Sequence, residues 1–157
     1  MTQTKEEPEQ FDFCEDEIKN LAEELITNYH PSICEAKIAY LWNSKEMKRS
    51  GQTVIGKAKK CSKDVKAISS YDFIITLSFP TWNTLTDKQK KAALDHELTH
   101  CSIDITGEEP KVEIVPHDVE EFLEIIDRHN LYKEDLVALG RIVKKKLNGV
   151  QDSKDEK

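Results

Sequence analysis

The stretch from Thr86 to His100 restricts the fold of this chain more than any other, because its pattern fits a helix and little else. Thr86 and Gln89 have the T-x-x-Q spacing of a capping box, in which each side chain bonds the backbone N–H of the other residue. Residues 87–99 contain no proline or glycine. The sequence therefore predicts a capped helix that carries "DHELTH", residues 95–100, near its C-terminal end.

The patterns on either side of this helix predict an α+β fold. Stretches rich in aromatic and β-branched residues are typical of strands, and apolar residues three and four apart are typical of helices. Their order favours a small mixed or antiparallel sheet packed against helices, with the capped helix at the centre. The predicted elements are helices 15–29, 118–128 and 133–147, strands 37–42, 52–61 and 71–79, and a short extended piece 111–115.

Length and composition are those of one soluble domain. The chain has 157 residues, of which 38% are hydrophobic and 34% are charged, which suits one core under a polar surface. We expect a single domain over residues 13–147, a disordered acidic N-terminus over 1–12, and a charged flexible tail over 148–157. No apolar run approaches the roughly 18 residues that a membrane span requires, so we expect no membrane partner. The sequence leaves the oligomeric state open.

The N-terminus and the cysteines indicate the compartment. "MTQTKEEPEQ" is acidic and has no apolar core, unlike a signal peptide. The four cysteines are far apart and form no C-x-x-C pair, which argues against a structural zinc site and, without a signal peptide, against disulfides. We therefore expect a cytoplasmic protein with reduced thiols at Cys14, Cys34, Cys61 and Cys101.

Charge is unevenly distributed along the chain. The formal net charge is −7, yet residues 45–66 carry eight basic and two acidic side chains. A local excess of this size could contact nucleic acid. We favour the simpler interpretation, a solvated hairpin whose lysines protect an edge strand, because aromatic residues are not interleaved with the basic ones.

His96, Glu97 and His100 form an H-E-x-x-H motif on the predicted helix. Residues four apart lie one turn apart on nearly the same face, so both imidazoles can approach one zinc ion at about 2.0–2.1 Å. Glu97 lies farther around the helix, close to the metal without being a ligand, where it can act as general base on a zinc-bound water. The motif predicts one Zn²⁺ ion and hydrolytic chemistry, and it requires a third ligand.

The third ligand must come from another part of the chain. His30 and His129 sit at predicted helix ends, where capping, surface exposure or the helix dipole explains them. His117 lies where the extended piece passes into the next predicted helix, and we favour it as the ligand. Glu120 and Glu121 on that helix remain alternatives, although a glutamate face is usually a solvated one.

The metzincin pattern H-E-x-x-H-x-x-G-x-x-H is absent. Ile103 and Thr106 occupy the positions that would need glycine and histidine. Asp104, the fourth residue after His100, is a less favoured ligand than those on the downstream helix. The motif therefore predicts a zincin in which the third ligand is more distant in sequence.

Two segments together resemble the family of metallopeptidases encoded in phages and prophages, which are small zincins similar in character to SprT-like domains. They are "YDFIITLSFPTWNTLTDKQKKAALDHELTHC" and "HDVEEFLEIIDRHNLY". The similarity covers roughly residues 15–135. One difference is that many relatives end the second segment in Gly-Leu-Trp, where this chain has Asn130, Leu131 and Tyr132.

The resemblance implies a zinc-dependent peptidase of the bacterial host cytoplasm, acting on a protein or peptide substrate. It implies zinc at His96, His100 and His117, with Glu97 as the base. We expect the substrate between the H-E-x-x-H helix and an edge strand, for which 71–79 is the candidate. Two alternatives stay open: a DNA-associated, SprT-like protease or regulator, and a zinc-stabilised interaction module without catalysis.

Overall fold

The structure of the protein is a computed structural model that describes residues 6–152. The chain divides into two compact units, one that ends at Val115 and one that begins at Pro116. No change of composition marks this boundary, and the single domain expected over 13–147 stays a prediction. Parts of the two segments expected to be disordered, residues 1–5 and 153–157, lie outside the described residues.

In the first unit, the observed elements confirm the α+β class. They are β1 (Phe11–Phe13), α1 (Asp16–Tyr29), β2 (Ile38–Asn43), β3 (Met47–Arg49), β4 (Gln52–Val54), β5 (Gly56–Lys60), α2 (Lys63–Ser69), β6 (Phe73–Ser78), α3 (Phe79–Trp82), α4 (Asp87–Thr99), β7 (Cys101–Asp104) and β8 (Lys111–Ile114). Several of the shorter elements, including β1, α2, α3 and β7, were not expected. β1 includes Phe11 and Asp12, which the sequence analysis assigned to the disordered N-terminus.

A four-stranded mixed sheet in the order β1-β2-β6-β5, the central sheet, is the main sheet of this unit. β2 and β6 run parallel, and the two outer strands run antiparallel to their neighbours. The prediction that 71–79 is an edge strand was therefore wrong, because β6 lies inside the sheet. Its apolar sequence suits that place, since an interior strand is covered by a neighbour along each edge. The edge strand beside it is β5.

The predicted strand 52–61 is in fact two strands. β4 pairs with β3 in a hairpin whose turn contains two residues of positive φ, Ser50 at 50° and Gly51 at 78°. β5 pairs with β6 instead. Between them, the half-buried Ile55 accepts a hydrogen bond from the Ser78 N–H at 2.9 Å. This bond directs the chain out of the hairpin and into the central sheet.

One face of the central sheet, the helix face, is buried under α1 and α4. Alternate residues of β2 and β6 point to it, as the two-residue period of a strand requires. The burial of these apolar side chains is the main source of stability, and it fixes α4 against the sheet. The buried set includes Tyr40, Trp42, Phe73, Ile75 and Leu77 from the strands with Leu25, Leu94 and Leu98 from the helices.

The second unit contains α5 (Leu123–His129) and α6 (Glu134–Asp152). The prediction of a helix over 118–128 was wrong at its start, because residues 116–122 are not helical. Phe122 has an extended backbone, and its N–H is bonded at 2.9 Å to the carboxylate of Glu121. This local bond satisfies an amide that a helix would otherwise use. Within residues 6–152, none of the helices has the length and apolar character needed to cross a membrane.

Candidate metal centre

α4 begins and ends as its sequence predicts. The Thr86 hydroxyl accepts the Gln89 N–H at 3.2 Å, and the Gln89 side chain accepts the Thr86 N–H at 2.9 Å, so the capping box is present. His96 and Glu97 lie in the last turn, and His100 is the residue that caps the C-terminal end. The three motif residues are therefore held on one short, well-capped helix.

Two hydrogen bonds to Val115 fix the orientation of His100. Its ring nitrogen Nδ1 lies 2.5 Å from the carbonyl oxygen of Val115, and the Val115 N–H donates to the His100 carbonyl at 2.7 Å. A carbonyl can only accept, so Nδ1 carries the proton in this bond. In the neutral ring Nε2 then carries the lone pair, which is the form of imidazole that binds a metal.

The two motif histidines present their Nε2 atoms to each other. These atoms are 3.3 Å apart, and the rings meet edge to face at 80°. Two nitrogen ligands at about 2.0–2.1 Å from a tetrahedral zinc ion would be about 3.3–3.4 Å apart. The separation therefore fits a pair of ligands on one ion.

His96, His100 and His117 form a group that could hold a metal ion. Each offers one imidazole nitrogen as a possible ligand atom. Three imidazoles are a ligand set that zinc accepts in catalytic sites, where the fourth position stays open. The donor set therefore fits the predicted metal, and the assignment of His117 as third ligand stays a prediction.

Glu97 is the buried carboxylate of the site, with only 7% of its surface exposed. Burial raises the pKa of its carboxyl above the ordinary value, and the neighbouring His100 offsets part of that rise. A carboxyl in this situation holds a proton more readily than a solvated one. The site therefore combines two imidazoles with one buried carboxyl of raised pKa.

Comparison with known families decides the class of the protein. Residues 12–147 match the family model described as "Putative phage metallopeptidase". The chain belongs to this family. The match spans α4 and the segment that contains His117, which confirms the resemblance noted in the sequence. Comparison with curated proteins and with solved structures gave no match.

Membership of a metallopeptidase family implies a metal and peptide hydrolysis. In this family member, two of the three competing carboxylates, Glu121 and Asp104, have other partners. Glu121 accepts a hydrogen bond from the Tyr132 hydroxyl and pairs with Lys133 at 3.2 Å. The Tyr132 bond is the largest cause that lowers the pKa of Glu121, to about 2. Asp104 accepts from the N–H and the hydroxyl of Thr106 at 2.9 and 2.6 Å.

Gly56 is a residue of the site that the sequence analysis missed. A Cβ atom here would lie 3.2 Å from Cγ of Glu97, 2.9 Å from a methyl carbon of Leu77 and 3.1 Å from the Thr76 carbonyl oxygen. Its backbone is not in the left-handed region, so close approach explains the glycine. The one available signal was a glycine inside a strand pattern, which often marks such an approach.

Two further neighbours of the motif have structural roles in this phage metallopeptidase family member. His30, at the end of α1, lies 2.6 Å from the carboxylate of Asp95 and so joins α1 to the turn that carries His96. Cys101 is buried, and burial raises the pKa of its thiol to about 12. Such a thiol stays protonated and unreactive at neutral pH, as expected for a packing residue.

Proposed function

We propose that this protein is a zinc-dependent peptidase in which His96, His100 and His117 hold one Zn²⁺ ion and Glu97 is the general base. The observation that carries the proposal is the 3.3 Å separation of two imidazole nitrogens next to a buried carboxylate. Histidine pairs occur for many reasons, but a glutamate buried beside such a pair costs stability, and perturbed carboxyls of this kind cluster at functional sites. Family membership supports the same chemistry.

Each residue would have a distinct role. Zinc held by the three histidines would polarise the scissile carbonyl and acidify water. Glu97 would take the proton from the attacking water and pass it to the leaving amine. Its burial favours this exchange, because a raised pKa brings the carboxyl closer to the pH at which the enzyme works. The bond from Nδ1 to Val115 would keep the Nε2 lone pair of His100 directed at the metal.

The substrate would add to β5, the edge strand of the central sheet that packs against α4. β5 begins at Gly56, whose backbone lies beside the Glu97 side chain. Lys57, Lys59 and Cys61 bond toward β6, as the Cys61 N–H to Asp72 carbonyl bond at 2.9 Å indicates. The N–H and C=O groups of the residues between them point to the edge, as in any antiparallel pair. A peptide backbone could pair with those groups.

A zinc-stabilised interaction module would use the same three histidines without hydrolysis. The exposed rings of His96 and His117 are compatible with that use as well. The buried Glu97 favours the enzyme, because a purely structural zinc site has no need for a general base. The two functions predict different effects when the charge of Glu97 is removed.

The deciding experiment compares the Glu97→Gln variant with the wild type after zinc loading. An enzyme keeps its zinc and loses about 10²–10⁴-fold in kcat on a quenched fluorescent peptide library. Elemental analysis gives the metal content of both proteins. A wild type that binds one zinc per chain, gains thermal stability from it and cleaves no peptide would be the interaction module.

The ligand set is tested by zinc affinity in single histidine variants. His117→Ala is expected to weaken zinc binding by at least tenfold, a loss of about 1.4 kcal/mol or more. His129→Ala, which removes an exposed histidine at the end of α5, is the matched control and should bind zinc normally. Equal zinc affinity in His117→Ala and the wild type would remove His117 from the site and leave Glu120 as the next candidate.

A further inference from the structure

The second face of the central sheet, the open face, is formed by the residues that alternate with those of the helix face. Strand register places Phe13, Leu41, Thr76 and Lys57 side by side in one row across all four strands. Neighbours in register point to the same side of a sheet. Leu41 and Thr76 in the middle of the row are partly exposed, and the two end residues are exposed. Four strand positions span three spacings, or about 14 Å.

Two phenylalanines stand at the β1 end of the open face. Phe11 is 54% exposed and Phe13 is 66% exposed, although both lie in a paired strand. The ring of Phe13 lies 6.3 Å from the ring of Tyr71. Aromatic side chains next to each other in solvent are uncommon on a soluble surface and mark a place where something binds.

Two lysines stand at the β5 end of the same face. Lys57 and Lys59 pair with Thr76 and Ile74, so their side chains lie on the open face, and both are exposed. They belong to the segment 45–66, which carries eight basic and two acidic side chains in a chain of net charge −7. This face therefore has positive charge at one edge and aromatic rings at the other.

A surface with exposed aromatic rings at one edge and lysines at the other favours one kind of ligand. An acidic peptide would use the lysines and leave the rings in water. A nucleic-acid duplex would also use the lysines, but its bases are stacked inside and cannot reach the phenylalanines. A single strand offers both phosphates and unstacked bases, and flat sheets with exposed aromatic rings are a recurring platform for it.

We propose that the open face binds single-stranded nucleic acid, with bases stacked on Phe11 and Phe13 and phosphates paired with Lys57 and Lys59. The Glu9 carboxylate, bonded at 2.5 Å to the Asn43 amide beside Phe11, disfavours phosphate at the β1 end. The phosphate backbone would therefore follow the β5 end. The basic segment itself has no interleaved aromatic residues, but the fold places the phenylalanines of β1 on the same face of the sheet as the lysines of β5.

The test is fluorescence anisotropy of a labelled oligo(dT) with the full chain, titrated over a range of salt concentrations. We expect binding at low salt that weakens as salt rises. Phe11→Ala/Phe13→Ala should weaken binding about tenfold or more at unchanged salt dependence, because the bases lose their stacking partners. Lys57→Gln/Lys59→Gln should lower the slope of log K against log salt by about 1.4, which corresponds to two phosphate contacts on a single strand.

A matched control removes the same charge elsewhere. Lys144→Gln/Lys145→Gln on α6 changes the net charge equally and should leave the affinity of the open face within about twofold. Circular dichroism of each variant excludes unfolding as the cause of a loss. Absence of binding at low salt would overturn the proposal, and so would equal binding by the phenylalanine variant. Equal affinity for a duplex, or for anionic phosphatidylglycerol vesicles, would overturn it in favour of a general anionic surface.

Discussion

The two faces of the central sheet differ in almost every physical respect. The helix face is packed with large apolar side chains under α1 and α4, and it supports the only carboxylate of the H-E-x-x-H motif. In the middle of the open face Leu41, Ile74 and Thr76 are partly exposed while Ala39, Asn43 and Ser78 are buried, and phenylalanines stand at one edge and lysines at the other. Both faces are built from the same strands, with residues alternating between them.

It follows from this difference that adjacent residues in one strand can have unrelated roles. On the helix face a substitution changes packing, and through packing the position of α4 and Glu97. On the open face the same substitution changes what the surface attracts. A one-residue step along β5, from Gly56 to Lys57, therefore crosses from the proposed catalytic site to the proposed nucleic-acid site.

The largest contrast in stability is expected between Leu77 and Ile74, which lie three residues apart on β6. Leu77 is fully buried on the helix face, and Leu77→Ala should cost about 2–5 kcal/mol through lost transfer energy and the cavity left behind. Ile74 is partly exposed on the open face, and Ile74→Ala should cost about 1 kcal/mol. Urea unfolding of both variants measures the difference. Equal losses would mean that the open face is as tightly packed as the helix face.

Local sequence was enough to predict α4, because its capping box and its uninterrupted length are properties of neighbouring residues. The strands β2 and β6 were predicted for the same reason, since their residue types are those of strands. His96, Glu97 and His100 were identified as candidate site residues from the motif on that helix. These are the parts of the fold and of the candidate site in which local preference and tertiary packing agree.

Long-range pairing was what the sequence could not predict. Nothing local shows that β6 lies inside the sheet, or that Gly56 comes to rest against Glu97. The start of α5 was misplaced because the Glu121 carboxylate accepts the Phe122 N–H, and the same carboxylate also bonds the hydroxyl of Tyr132, eleven positions away. Phe11 and Asp12 were assigned to the disordered N-terminus, because a three-residue strand pairs only when its partner strand is already in place.

Asp72 is a charged residue next to the open face for which we expect a role in stability and none in nucleic-acid binding. Its carboxylate accepts the Lys37 N–H at 2.9 Å and pairs with Lys66 at 2.7 Å. Burial raises its pKa, but these two partners outweigh burial, and the net pKa is below the ordinary value. Asp72→Asn should therefore cost about 1–3 kcal/mol of stability near pH 7 while nucleic-acid binding is unchanged.

The pH dependence of the stability loss in Asp72→Asn follows from the direction in which folding shifts the pKa of Asp72. A carboxyl whose pKa is lowered on folding stabilises the protein above its unfolded pKa of about 3.9, and the contribution disappears as the pH falls through the folded value. The stabilities of Asp72→Asn and wild type should thus converge in acid, as measured by urea unfolding at pH 7 and near pH 3. Lys66→Met, which removes only the exposed partner, should cost no more than about 1 kcal/mol. A loss that is constant with pH would assign the effect to shape rather than charge.

Gly56 and Lys57 give the sharpest comparison, although the expected effect is the smallest. If the proposed peptidase is correct, Gly56→Ala should keep its zinc and lose about tenfold in kcat, or about 1.4 kcal/mol, because the new Cβ pushes Glu97 and Leu77 from their places. Gly107→Ala, where the nearest atom would be 3.7 Å away, is the control for alanine itself. Lys57→Ala should leave kcat unchanged and weaken nucleic-acid binding. Slower hydrolysis in Lys57→Ala as well would mean that the two faces act together, with the strand bound on one side altering the catalytic site on the other.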